Sequence, residues 1–262
     1  MSESIVVENV QKEFKIRFHR TIKQMSVAAA RGQELSQTFN ALEDVSFAVE
    51  QGESIGLMGL NGSGKSTLLK LINGIMRPDQ GKVLTRGRIS GLIATGAGFH
   101  PQLSGRENIF LNAAVLGMSD AETRRKFDDI VEFADVGRHL DSAVGHYSSG
   151  MFSRLGFSVA IHVDCDIFLA DEVLAVGDKP FKRKCLERMQ EIRKSGRTLF
   201  YVSHAAGSVR KMCDRVLVLE KGRLTYDGPV GPGIKHLKYD DAKGSGSQTD
   251  EEQSDDELGN DI

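Results

Sequence analysis

The chain has 262 residues, a net charge of −2 and a pI near 6.4, which suits one large α/β domain or two small ones. This charge balance gives no basic field of the kind that nucleic-acid binding needs, and the lack of tryptophan weakens a base-stacking surface. Three widely spaced cysteines indicate ordinary thiols rather than a disulfide framework or a zinc site, and no apolar run is long enough to span a membrane.

The N-terminal region predicts two strands on either side of an ambiguous segment. Residues 4–10 look like an edge strand, and residues 41–49 alternate apolar and polar side chains as a half-exposed strand does. Residues 15–40 interleave basic and apolar side chains and then turn polar, which predicts a short amphipathic helix followed by a surface loop. Gln51 and Gly52 mark a turn before the next strand.

Residues 59–67 satisfy G-x-x-x-x-G-K-[ST], the motif of a phosphate-binding loop. Residues 53–58 predict a buried strand before it and residues 68–73 a helix after it, which is the context the motif needs. A helix N-terminus attracts phosphate, and glycine lets the backbone approach the phosphate oxygens. We expect Lys65 to reach the β- and γ-phosphates and the Ser66 hydroxyl to ligate Mg²⁺. The predicted nucleotide-binding residues of this loop are Gly59, Asn61, Gly62, Ser63, Gly64, Lys65, Ser66 and Thr67.

Beyond this loop, predicted strands and helices alternate. Residues 82–92 predict two short strands broken at Gly87, and the capping-box spacing of Ser119 and Glu122 predicts a helix through about Ala134. The alternation predicts an α/β fold with a mostly parallel central sheet. The remaining predicted elements are a helix after residues 147–150, a buried strand at 166–170, an amphipathic helix at 181–194, and strands at 198–202 and 216–220.

Two acidic residues follow one of the predicted buried strands. Residues 167–170 are apolar, and Asp171 and Glu172 come directly after them. The strand would deliver Asp171 to the edge of the phosphate site, where it can hold Mg²⁺ through water. Glu172 can polarise an attacking water as a general base.

Three more segments have a characteristic order along the chain relative to the phosphate loop and the acid pair. Residues 147–151 (Tyr-Ser-Ser-Gly-Met) open a helix before the acid pair, residues 200–204 form a strand that ends in His204, and Gly177 and Asp178 follow the acids. Together with the phosphate loop, their order and spacing resemble the nucleotide-binding domain of ABC transporters, whose signature motif usually reads Leu-Ser-Gly-Gly-Gln. The resemblance extends over residues 4–235.

The likeness is closer to one branch of that family, the ATPase subunits of polysaccharide and teichoic-acid exporters. These subunits power the export of polyprenyl-linked polymers such as O-antigen, wall teichoic acid and galactan. Ser149 in place of a glycine and Met151 in place of a glutamine both recur in this branch. The segments that carry the likeness are residues 96–109, 147–151, 154–157 and 171–178.

The resemblance implies a P-loop NTPase fold with a RecA-like core, an antiparallel β subdomain and an α-helical subdomain at about residues 100–160. The ATPase domain would occupy residues 1–240. Residues 241–262 contain a linker-like run and a stretch dense in aspartate and glutamate, which predicts a disordered acidic tail. A solubilising role and a docking role are both open for this tail.

The resemblance also implies that two copies meet head to tail and trap two ATP molecules, with Mg²⁺, between them. Ser148, Ser149 and Gly150 of one copy would cap the γ-phosphate that the phosphate loop of the other copy holds. His204 would contact the γ-phosphate and orient Glu172. The catalytic residues implied are therefore Glu172 and His204.

Two positions leave alternatives open. Phe14 stands near the place where the family stacks an aromatic ring on adenine, and a core position is an equal alternative. Most ABC ATPases place a glutamine after the strands that follow the phosphate-loop helix, whereas residues 94–100 contain none. Gln102 comes late for that role, and His100 or Thr95 could substitute.

As a whole, the resemblance implies an ATPase that couples the conversion of ATP and water to ADP and phosphate to polysaccharide export at the cytoplasmic face of the membrane. Its partners would be a second copy of itself, an integral permease subunit and, indirectly, a lipid-linked polysaccharide, with no nucleic acid. Residues 15–40 could touch the permease or the lipid headgroups, or could be a solvated insertion. A soluble ABC-type ATPase that is not coupled to transport is the alternative function.

Overall fold

A three-stranded antiparallel sheet lies at the N-terminal side of the fold. The computed structural model describes residues 2–17, 36–91, 98–171 and 178–244. In this sheet β1 lies in the centre and pairs with β2 on one side and β4 on the other. The strands are β1 (Glu3–Arg17), β2 (Ser36–Glu50) and β4 (Gln80–Thr85), with β3 belonging to a second sheet.

Two N-terminal predictions were wrong. Residues 4–10 do not form an edge strand, because β1 has a neighbour on both sides. The helix and loop predicted for residues 15–40 are contradicted at both ends, since β1 continues to Arg17 and β2 begins at Ser36. The basic and apolar residues near position 15 alternate with a period of two, which is the period of a strand. Residues 18–35 lie outside the described ranges.

The second sheet confirms the predicted mostly parallel centre. Its order is β5-β6-β7-β3-β8-β9, with parallel pairing up to β8 and an antiparallel β9 at the edge. Strands β3, β6 and β7 are buried along their whole length, as parallel strands covered on both faces require. Their bounds are β3 (Ser54–Met58), β5 (Ile89–Gly91), β6 (Ile167–Ala170), β7 (Thr198–Val202), β8 (Arg215–Glu220) and β9 (Arg223–Pro229).

Seven α-helices surround the sheets in the described ranges. None of them is long and apolar enough to cross a membrane. The last helix continues to Gly244 and so includes the first four residues of the tail predicted for residues 241–262, and residues 245–262 lie outside the described ranges. The helices are α1 (Lys65–Ile72), α2 (Gly105–Val115), α3 (Asp120–Ala134), α4 (Ser149–Ile161), α5 (Lys179–Lys194), α6 (Ala206–Met212) and α7 (Val230–Gly244).

Helices α2, α3 and α4 form a group of their own, in the stretch predicted for a helical subdomain. They share an apolar cluster that includes Ile109, Ile130 and Leu155 and is separate from the clusters of the sheets. A cluster of this kind gives each amphipathic helix a place to bury its apolar face. Helix α4 also contacts α5 and β5, so it connects this group to the central sheet.

The cap of α3 is only half of the predicted capping box. The Ser119 hydroxyl accepts the Glu122 N–H at 3.2 Å, as expected. The Glu122 carboxylate, however, bonds to the Arg88 guanidinium at 3.1 Å and to the Asp164 N–H at 3.3 Å. A buried carboxylate needs a cation or hydrogen-bond donors to offset its charge. The Glu122 carboxylate therefore pairs with Arg88 and the Asp164 N–H, and it does not complete the capping box.

The three cysteines are free and buried, and we expect them to be nearly inert in the folded chain. Burial raises the pKa of Cys165 to about 11 and those of Cys185 and Cys213 to about 12. Because the thiolate is the reactive form, Ellman's reagent at about pH 8 should label the folded protein about a hundredfold more slowly than the same protein in urea. A thiol that reacts equally fast in both conditions would contradict this burial.

Candidate functional site

The carboxyl ends of three parallel strands meet at one edge of the central sheet. Strand β7 pairs in parallel with β3 on one side and with β6 on the other. Residues 59–64 follow β3, Asp171 follows β6, and Ser203 and His204 follow β7. The fold therefore brings the phosphate loop, the predicted Mg²⁺ ligand Asp171 and the predicted catalytic residue His204 to the edge where open α/β sheets bind ligands.

The phosphate loop has a backbone that only glycine adopts easily. Gly59, Gly62 and Gly64 have φ values of 151°, 80° and 106°. A Cβ atom at Gly59 would collide with the Leu219 carbonyl oxygen, and one at Gly64 would lie 2.5 Å from the Ala41 oxygen. At the first and last of these glycines, both the dihedral angle and the available space exclude a side chain.

Helix α1 begins directly behind this loop with an open N-terminus. It starts at Lys65, three residues before the predicted start at residue 68, and its N-cap residue Gly64 offers no side-chain hydrogen bond. The Ser63 hydroxyl oxygen, in a residue only 4% exposed, has no hydrogen-bond partner among the described residues. Uncapped amides, a positive helix end and an unpartnered hydroxyl together suit a bound phosphate.

Lys65 lies inside the loop. Its Nζ atom donates to the carbonyl oxygens of Gly59 at 2.6 Å and Leu60 at 3.0 Å. Burial lowers the pKa of Lys65, and the negative charge of Asp171 acts in the opposite direction. The ammonium is thus partly desolvated and held against the loop backbone, where a bound phosphate would pair with it.

Asp171 is half-buried and lies close to two cations. Burial raises the pKa of its carboxyl group, while the charges of Lys65 and Lys70 act to lower it. Ser66 is exposed in the first turn of α1. A carboxylate and a hydroxyl oxygen are ligands that Mg²⁺ accepts, so these two residues fit the predicted metal site.

The remaining predicted site residues near this edge of the sheet differ in exposure, and one of them lies outside the described ranges. Asn61 is exposed in the loop, and Thr67 is half-buried in α1. Glu172 falls in residues 172–177, outside the described ranges, so its role as general base stays a prediction. His204 is described, and it is exposed one residue beyond Ser203.

Ser203 is a residue of this edge that was not predicted from the sequence. Its N–H donates to the Leu57 carbonyl at 3.3 Å, and its hydroxyl accepts the Ala205 N–H at 3.1 Å. These bonds fasten the turn that carries His204 to strand β3. The sequence feature that could have indicated Ser203 is its position between a predicted buried strand and His204, since a small polar residue there can form a local turn.

The signature turn, which we define as Ser148, Ser149 and Gly150, does not belong to this edge within one chain. Ser148 caps α4, and its hydroxyl accepts the Met151 N–H at 3.2 Å. Both serines are exposed, and no hydrogen bond among the described residues joins the turn to the phosphate loop. The turn presents a second helix N-terminus to solvent, and the Ser148 hydroxyl caps it.

Two further predictions stay untested. Phe14 is half-buried on β1, paired with Phe39 on β2, and the Lys12 ammonium lies 5.8 Å from its ring centroid. Adenine stacking by Phe14 therefore stays a prediction. Of the proposed glutamine substitutes, Thr95 lies outside the described ranges, while His100 and Gln102 are both exposed.

Asn108 is a second residue that sequence analysis missed. Its amide is fully buried, and it accepts the His100 N–H at 2.7 Å and donates to the His100 carbonyl at 3.1 Å. It also donates to the carbonyls of Leu103 and Ser104. One side chain thus fixes the loop that precedes α2. No helix was predicted over residues 105–115, so the sequence provided no signal for this buried polar residue.

Comparisons with known proteins agree with this geometry. The family described as ABC transporter matches residues 42–175. The ABC transporter protein AbcA of Aeromonas salmonicida is 45% identical over 229 residues, 87% of this chain and 74% of that protein. The O-antigen export system ATP-binding protein RfbB of Klebsiella pneumoniae is 42% identical, over 87% of this chain and 94% of that protein. The teichoic acids export ATP-binding protein TagH of Listeria monocytogenes is 39% identical, over 89% of this chain and 69% of that protein.

Solved structures show the same fold. A structure titled as the ATP-binding subunit of an ABC transporter aligns with a TM-score of 0.70 at 25% identity, covering 90% of this chain and 98% of that one. A dimeric ATP-binding cassette, MJ0796 bound to ADP and Pi, aligns with a TM-score of 0.68 at 21% identity, covering 86% of this chain and 98% of that one. The chain therefore belongs to the ABC transporter family, as an ATP-binding domain of that family.

Proposed function

We propose that the chain is the ATP-hydrolysing subunit of an ABC exporter whose cargo is a polyprenyl-linked cell-envelope polysaccharide. This proposal is carried by sequence identity of 42% and 39%, over 87% and 89% of this chain, to two relatives that are named for export. RfbB is named for O-antigen and is matched over 94% of its length, and TagH is named for teichoic acids. Both names refer to cell-envelope polymers, so the class of cargo is better supported than any single polymer.

In the proposed reaction the phosphate loop, residues 59–67, binds the triphosphate of ATP. The open end of α1 and the Lys65 ammonium offset the phosphate charge. Ser66 and Asp171 would hold Mg²⁺, which neutralises charge on the phosphates. Glu172 would accept a proton from the attacking water, and His204 would contact the γ-phosphate and orient Glu172.

We also propose that two copies close around two nucleotides. The support is that no hydrogen bond among the described residues joins the phosphate loop to the signature turn, and that each of them lies at a helix N-terminus, a place suited to phosphate. A second copy, arranged head to tail, would place one turn against each bound nucleotide. The solved relative MJ0796 is itself described as a dimer bound to ADP and Pi.

The remaining partner in this proposal is an integral permease at the cytoplasmic face of the membrane. An ATPase of a transporter must pass its closing motion to a subunit that forms the path for the cargo. The permease contact and the membrane location rest on the export systems named for the relatives.

The test is depletion of this chain in its native cells, followed by complementation with wild type or with Lys65→Ala. Depletion should cause a lipid-linked glycan to accumulate, wild type should reverse this, and Lys65→Ala should not. A tagged wild-type chain should also co-purify from membranes with an integral protein. An active ATPase whose depletion changes no envelope polymer would favour a soluble ABC-type ATPase instead.

A further inference from the structure

Arg154 ties the helix of the signature turn to helix α5. It lies in α4 four residues after Gly150, so the two residues share one face of that helix. Its Nη2 atom donates to Oδ1 of Asp178 at 2.8 Å, and its Nη1 atom lies 3.5 Å from Oδ2 of Asp135. The guanidinium carbon lies 5.2 Å from the ring centroid of Phe181, so one face of the cation packs on an aromatic ring.

Asp178 makes a second hydrogen bond, which connects the Arg154 contact to the N-terminus of α5. Its Oδ1 atom also accepts the Phe181 N–H at 3.3 Å and so caps the N-terminus of α5. Desolvation alone would raise the pKa of Asp178, but the bonds from the Phe181 N–H and from Arg154 outweigh it and lower that pKa. One carboxylate oxygen therefore links the start of α5 to the middle of α4.

The pair is better suited to fixing an angle than to stabilising the fold. The Asp178 side chain is 56% exposed and Arg154 21% exposed, and exposed ion pairs contribute little to the free energy of unfolding. The planar guanidinium is nevertheless held by the Asp178 carboxylate and the Phe181 ring, and a planar fork of donors restricts orientation more than a lysine can.

We propose that Arg154 is a positioning residue for the ATPase reaction: through Asp178 it holds α4 at a fixed angle to α5, so that the signature turn meets the nucleotide on the second copy in register. This rests on the proposed head-to-tail dimer. A rotation of α4 would carry Gly150 and Arg154 together because they share a face. The Asp178 contact resists that rotation at a point one helical turn from the signature turn.

The experiment is steady-state ATPase kinetics of the full chain with Arg154→Lys, Asp178→Asn and the double variant. Arg154→Lys keeps the charge but loses the fork, and Asp178→Asn keeps an N-cap but loses the carboxylate. Each single variant should lower kcat about tenfold or more and leave the KM for ATP within about threefold, because the phosphate loop is untouched. The double variant should be no slower than the slower single variant, since both remove one contact.

Two control variants separate this contact from charge effects in general. Asp135→Asn removes the longer, 83%-exposed contact of the same guanidinium, and Arg183→Lys removes a fork that bonds to Glu187 at 3.0 Å within α5. Both should keep kcat within about twofold, and the melting temperature of every variant should stay within about 3 °C of wild type.

Three outcomes would overturn the proposal. Additive losses in the double variant would show that Arg154 and Asp178 act separately. A wild-type kcat in Asp178→Asn would show that the contact is dispensable, and either result leaves the dimer proposal standing if wild type hydrolyses ATP and dimerises. A wild-type chain that does neither would overturn both the proposed function and this inference.

Discussion

Lys65→Ala should weaken ATP binding about a hundredfold, measured as the Kd of a fluorescent ATP analogue at fixed Mg²⁺. The ammonium of Lys65 lies inside the phosphate loop, bonded to the Gly59 and Leu60 carbonyls. A bound phosphate would give it charge-assisted bonds in a partly desolvated site, each worth about 1.5–3 kcal/mol. Alanine removes these bonds and the positive charge, while the glycine backbone of the loop can stay in place.

A matched control lies on the same helix. Lys70 is in the last turn of α1, and its charge also acts on Asp171. Lys70→Ala should change the Kd less than about threefold, because that side chain stands away from the open helix end. Equal losses in the two variants would mean that general positive charge, and not the loop lysine, binds the nucleotide. Circular dichroism of both variants should match wild type.

Much of the sheet could be predicted because its strands are locally distinctive. Residues 54–58 and 198–202 are short apolar runs, and both are fully buried parallel strands in the structure. The position of β1 could not be predicted in the same way. Its pairing with β4 joins segments far apart in sequence, and nothing within residues 4–10 tells that both edges of that strand are covered.

In the candidate site, too, residues of local motifs could be predicted, whereas contacts between residues far apart in sequence could not. The phosphate loop is a continuous motif whose glycine angles follow from local sterics, and Asp171 and His204 could be placed because both follow buried strands. Arg154 belongs to the resembling segments, but its partner Asp178 lies 24 residues away in sequence, so its contact had to be observed. Ser203 was missed for the same reason, since its partner is on strand β3.

Glu172→Gln should bind ATP normally but hydrolyse it about a hundred to ten thousand times more slowly. Glu172 directly follows Asp171, which the structure places beside Lys65, so the acid is one residue from the proposed metal site. Glutamine keeps the size of the side chain but cannot accept the proton of the attacking water. With hydrolysis blocked, the closed state persists, and light scattering after gel filtration with Mg-ATP should detect a dimer. Wild-type turnover in this variant would contradict the assignment of the base.

The same trapped dimer provides a test of the signature turn, through Gly150→Asp added to Glu172→Gln. Gly150 is the second residue of α4, and within the described part of the chain a Cβ there would meet only the Ser148 hydroxyl at 3.8 Å, which leaves room for a side chain. An acid at a helix N-terminus is favourable in the isolated chain. It is unfavourable when that end must receive a γ-phosphate from the second copy, because two negative charges then meet in a closed interface. The double variant should therefore bind ATP yet remain monomeric, whereas Gly150→Asn, of equal size and without the charge, should retain more dimer. A stable dimer with aspartate at this position would mean that the turn does not face the partner's nucleotide.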